Sequence, residues 1–220
     1  MPDPLFSDAD RERIREAVAA AERRTSGEIV PYVVRKSGDY DVALWRASAA
    51  GAVSAGALAL GIAAIYAGWG LGWLYSAWAM ALVMVAGGAL GAVAASTIGA
   101  LRRGLTGPAL LAETVHRRAA QAFVDEEVFD TVDRTGILLF VSLLEHRIEV
   151  VGDKGIDAKV EPGEWIETVA LVRTGILQGD LAGGLVAAID HCGDLLHRRG
   201  VVLRDDDTDE LSDDVRVHDE

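Results

Sequence analysis

Four acids have the type and placing to do chemistry: Glu28, Asp133, Asp153 and Asp157. Glu28 opens the apolar run 28–35 (EIVPYVVR), and Asp133 stands just before the run 135–144 (TGILLFVSLL). Asp153 follows the shorter run 147–151, and Asp157 lies in the loop beyond it. If the first two runs are parallel strands joined by a right-handed crossover, they start at one sheet edge. A third strand antiparallel to the second ends there. Carboxylates converging from separate loops suit a hard cation, Ca2+ or Mg2+. Without a cation they would repel one another and raise each other's pKa. Arg134 is the other source of balancing charge, and the bland alternative is that these acids only cap helices and solvate loops.

Other chemistry finds less support. His191, Cys192 and His197 have the types of zinc ligands, but their spacing does not put three on one helical face, so a core cysteine with surface histidines is expected. Asp205-x-Asp207-x-Asp209 begins like an EF-hand loop, yet Glu210 stands where glycine is needed and Arg216 where the closing glutamate is needed. No Gly-x-Ser-x-Gly, Walker A or dinucleotide fingerprint occurs. The acids therefore come without an obvious nucleophile–base pair.

The elements that must position these acids share a chain of 220 residues with net charge −13 and half of its residues apolar. A mean hydropathy of +0.22 beside 25% charged residues requires the two to be segregated. They are: residues 47–101 contain no Asp, Glu, Lys, Arg or His. Disorder, collagen and a basic nucleic-acid-binding footprint are excluded as the main reading, so no nucleic-acid partner is expected. One cysteine rules out an internal disulfide. The charged start, MPDPLFSDADRER, has no apolar core of a cleavable signal.

The uncharged block divides at a glycine- and tryptophan-rich centre, GWGLGWLYS (68–76). Segments of about 47–67 and 77–99 are long enough, at about 1.5 Å per residue, to cross a hydrocarbon core of about 30 Å. Trp45, Tyr66, Trp69, Trp73, Tyr75 and Trp78 crowd the expected interfaces. Basic residues (Arg35, Lys36, Arg46, Arg102, Arg103, Arg117, Arg118) all lie on the terminal side, so both termini are expected in the cytoplasm. Gly51, Ala55, Gly56, Gly87, Gly88 and Gly91 suit close packing of the two helices. No ionisable residue lies within the block, so an ion path has nothing to run on.

The flanks, 1–46 and 102–200, make one domain interrupted by the hairpin. Helical spacing predicts helices over 7–25, 108–129, 162–178 and 181–199, with Ser7 as a cap and Gly179 as a stop. The three apolar runs are strands, with Pro31 marking an edge position. The fold expected is α/β: a small mixed β-sheet flanked by α-helices, with an inserted two-helix transmembrane hairpin. Residues 201–220 hold nine acids against Arg204 and Arg216 and read as an acidic disordered tail.

The soluble flanks resemble the TPM domain, a family named for a thylakoid lumen protein, a photosystem-associated protein and an acetylcholine-receptor modulator. The resemblance rests on SGEIV (26–30), DRTGILLFV (133–141) and HRIEVVGDKGI (146–156), in that order and spacing. It implies an α/β sandwich, divalent-cation binding in some members, acid phosphatase activity in one branch, and accessory roles toward membrane complexes. This sequence departs from it in the inserted hairpin and in Asp133-Arg134-Thr135-Gly136, where Asp-Asn-Gly is usual. Together these readings lead to an accessory or assembly protein of the bacterial inner (plasma) membrane. Its partners would be the lipid bilayer and another membrane protein or complex. The alternative is a divalent-metal-dependent phosphatase.

Overall fold

The computed structural model describes residues 5–66, 70–203 and 210–218. Residues 67–69, at the end of the first expected span and the start of the expected turn, and Asp205, Asp207 and Asp209, lie outside the described residues. The chain forms two compact units, Met1–Ser37 with Glu113–Glu220, and Gly38–Ala112. The division falls within ten or so residues of the edges of the charge-free block.

The first unit is built on a four-stranded mixed sheet. β1 (Glu28–Val34) and β2 (Gly136–Ser142) are parallel, with Glu28 opposite Gly136. β3 (Arg147–Gly152) returns antiparallel to β2 with Gly152 opposite Ile137. β4 (Arg216–His218) lies parallel to the far half of β1, and the order is β3-β2-β1-β4. β1 and β2 are buried along their whole length, which accounts for their continuous apolar runs.

Helices cover both faces. α1 (Asp8–Glu22), α7 (Ile166–Gln178) and α8 (Leu181–Arg198) share a core with Ile29, Val33, Ile137, Leu139 and Val141. On the opposite face, α5 (Pro108–Asp125) buries Val115, Ala119 and Ala122 against Val30, Tyr32, Leu138 and Phe140. The alternation of β1 and β2 side chains between two cores is the period-two geometry of a strand. Ser7 caps α1 in a reciprocal box with Asp10, and Gly179, at φ +75°, closes α7 as expected.

Two expectations are corrected. β1 is an interior strand, yet Pro31 is tolerated there. The Glu28 N–H donates to Thr135 on the β2 side and the Ile29 N–H to the Glu22 carboxylate on the other side. Pro31, two residues beyond Ile29, faces away from β2, and β4 begins only opposite Tyr32. The missing donor falls where no strand needs it. The second correction concerns the tail: residues 216–218 form β4, Val215 is buried, and Arg216 pairs with Glu126. An acidic composition suggested solvation, but alternating Val215 and Val217 supply the apolar side of a short strand.

The second unit is a helix pair. α2 (Asp41–Ile65) and α3 (Ala77–Thr97) are linked through a short 3-10 turn, Leu71–Tyr75. Their seam is made of small residues: a Cβ on Gly91 would lie 2.2 Å from the Ala47 carbonyl oxygen, and one on Gly87 2.6 Å from that of Gly51. α2 starts before Arg46, six residues earlier than the charge boundary suggests. The Arg46 guanidinium donates to the carbonyls of Leu105 and Thr106, at 2.5 and 3.3 Å. It thereby caps the end of a short amphipathic helix, α4 (Gly99–Thr106).

Candidate functional site

The parallel register of β1 and β2, and the return of β3, bring the starts of the first two strands and the end of the third to one sheet edge. The loops there are stitched by backbone bonds: Glu28 N–H to Thr135 O (3.3 Å), Asp153 N–H to Gly136 O (2.9 Å) and Gly155 N–H to Arg134 O (2.9 Å). Gly155 is required by this stitching, because a Cβ on it would lie 2.4 Å from the Asp133 carbonyl oxygen and 2.7 Å from that of Arg134.

Each acid has a distinct environment on this edge. Asp153 is 5% exposed and caps α6 (Lys154–Asp157), accepting the Lys154 N–H at 2.7 Å. Its carboxylate faces the Arg134 guanidinium, with Nε 2.6 Å from Oδ2 and Nη2 3.1 Å from Oδ1. Arg134 reaches it from a left-handed backbone (φ +58°), and its guanidinium also lies 5.5 Å from the centre of the Phe129 ring. Asp157 is more open, yet partial burial raises its carboxyl above the ordinary range, and the charge of Asp153 raises it further. Asp133 is exposed. Glu28 is 6% exposed and accepts the Glu210 N–H at 3.3 Å.

Glu210 is the residue that the sequence reading missed. Its amide meets Glu28 while its carboxylate accepts the Val132 N–H at 3.0 Å, so the C-terminal segment crosses the acidic edge as a strap. Leu211 packs on the α5-side core, and Asp214 pairs with Arg15 at 2.7 Å. The only sequence signal is the pair of valines at 215 and 217 inside an otherwise charged stretch.

A hard cation needs several unengaged oxygens around one point. Among the described residues, no three His, Cys, Asp or Glu side chains are grouped in that way. The guanidinium of Arg134 stands against Asp153, and Glu28 lies beneath the strap. The described acids are therefore not grouped as a metal centre, and the Arg134 guanidinium balances the charge of Asp153. His191, Cys192 and His197 are likewise apart in function. His191 is mostly buried between Thr168 and Glu167, Cys192 is fully buried with its thiol pushed up to about 12 by desolvation, and His197 meets the Arg24 carbonyl oxygen.

A second polar cluster, marked by no sequence motif, lies at the other end of the parallel strands. The buried Glu145 carboxylate accepts the Ser37 N–H (2.9 Å) and the Ser142 hydroxyl, and the Ser37 and Ser142 hydroxyls are 2.7 Å apart. This is a hydrogen-bonded polar network at the point where β1 ends.

The sheet order, the two helical layers and this edge define a three-layer α/β domain with an appended apolar helix pair. No protein-family model and no curated protein matches the chain. Among solved structures it is similar to the NMR structure of the BA42 protein from the psychrophilic bacterium Bizionia argentinensis. The TM-score is 0.60, with 18% identity over 99% of each chain. At that identity the likeness speaks for the fold alone.

Proposed function

We propose that this chain is a membrane-anchored accessory protein of the bacterial inner membrane. In this reading α2 and α3 cross the bilayer as a hairpin, both termini are cytoplasmic, and a TPM-like domain is presented to another membrane protein or complex. The observation that carries the reading is the surface of the helix pair. In each helix only 17% of the most apolar stretch is buried, while Trp45, Ile65, Val85 and Leu90 are more than two-thirds exposed. A core helix of a water-soluble protein buries such residues, whereas a bilayer solvates them. The accessory role rests on the resemblance to the TPM family and on an acidic edge where Arg134 is paired with Asp153, with no obvious nucleophile–base pair among the described residues.

The test of the non-enzymatic part is direct. Pure full-length protein in detergent, supplied with millimolar Ca2+ or Mg2+, is expected to leave p-nitrophenyl phosphate unhydrolysed. Hydrolysis that disappears in Asp133→Ala would replace the accessory reading with a metal-dependent phosphatase.

A further inference from the structure

β3 forms one edge of the sheet, and its free side lines a cavity of about 440 Å³. The Asp153 N–H donates to Gly136, so the odd-numbered residues of β3 bond to β2. The backbone groups of Ile148, Val150 and Gly152 then point outward, away from the sheet. The cavity has two unlike walls. On the α7 side are Trp165, Ile166 (71% exposed) and Val169; on the α5 side His116 stands 3.0 Å from Glu149. The side chains of β3 alternate to match: Ile148 and Val150 pack toward the α7-side core, and Arg147 and Glu149 take the α5 side.

We infer that this edge pairs with the same edge of a second copy of the chain, extending the sheet across a two-fold axis. The occupant is chosen by charge. A strand that carries a cation and an anion two residues apart on one face is complementary to itself when antiparallel. With the axis at Ile148, each Arg147 stands opposite Glu149 of the second copy, in the close pairing where opposite charges stabilise and like charges destabilise. Moving the axis by one residue would set Glu149 against Glu149. On the other face, the second copy's Ile148 and Val150 would meet the apolar wall of Trp165, Ile166 and Val169. Backbone pairing supplies affinity and the alternating walls supply register. The edge also lacks a proline, a lysine or a bulge to deter pairing.

The test uses full-length protein in detergent micelles, with the protein mass measured by light scattering at tens of micromolar. Wild type is expected to be a dimer. Arg147→Glu and Glu149→Arg should each weaken it at least tenfold, and the double swap, which restores opposite charges in every pair, should recover it. Ile148→Cys should form an intermolecular disulfide under mild oxidation, a readout that does not depend on the folding of the charge variants. A monomeric wild type, a dimer indifferent to both single reversals, or a double swap no better than either single variant would overturn the inference.

Discussion

Arg134 holds Asp153 through two nitrogens, Nε at 2.6 Å and Nη2 at 3.1 Å, where the sequence alone left open whether a cation or this arginine balances the acidic edge. Asp153 is nearly buried, so removing its partner leaves a desolvated carboxylate. Arg134→Gln is expected to destabilise the fold by about 1–3 kcal/mol in thermal or denaturant unfolding. The same pairing predicts that millimolar Ca2+ or Mg2+ leaves the wild-type midpoint within one degree or so. A cation-dependent rise of several degrees that Asp133→Asn abolishes would restore the metal site, since a cation bound only to the folded state stabilises it by mass action.

The strap makes a second prediction. Val215 is 5% exposed, and Val215→Ala removes about two methylene equivalents at about 0.8 kcal/mol each. The thermal midpoint should fall by roughly 3–6 °C for a chain of this size. A solvated tail would show no change.

Asp157 provides a pH test. Partial burial first, and the nearby Asp153 charge second, raise its folded-state value above the ordinary 3.8. The fold therefore disfavours the charged form, a penalty that is full above the raised value and absent below the unfolded one, where the acid is neutral in both states. Asp157→Asn should raise the midpoint slightly at pH 7, and the gain should disappear as the pH falls through the raised value toward 3.8. A gain that is constant with pH would assign the effect to packing instead.

The fold was legible where local pattern and burial agree. The fully apolar runs at 29–34 and 136–141 became interior strands, and the alternation of charge and apolarity in 8–22 became a capped helix. Two features were not legible, for a shared reason. β4 is three residues long, and its strand character comes from pairing with Tyr32–Val34 rather than from its own composition. Glu28 is buried because Glu210, far along the chain, lies across it. The position of the four acids at one edge followed from strand directions, but which charge neutralises which depended on the left-handed backbone at Arg134.

The helix seam gives a further check. A side chain on Gly87 would meet the Ala55 methyl and the Gly51 carbonyl, which are fixed by two helices rather than by a flexible neighbour. Gly87→Val should therefore separate α2 from α3. Disulfide formation between Ser48→Cys and Gly88→Cys, positions whose backbones approach closely, should be fast in the otherwise wild-type protein and largely lost with Gly87→Val. Gly61→Val, where an added Cβ meets nothing within 4 Å, should leave the crosslink unchanged.

The proposed topology, in which the helix pair crosses a bilayer and the α/β domain lies on the cytoplasmic side, can be checked by labelling single cysteines in intact cells with a membrane-impermeant thiol reagent. Cys192 is fully buried, with its thiol pushed up to about 12, so it stays silent in the native protein. Gly72→Cys lies in the turn, with open space around its added side chain, and Ser212→Cys is exposed beside the strap. The account predicts labelling at Gly72→Cys in intact cells, and at Ser212→Cys only after the membrane is permeabilised. Labelling of Ser212→Cys in intact cells, or recovery of the protein in the soluble fraction with neither site labelled, would contradict it.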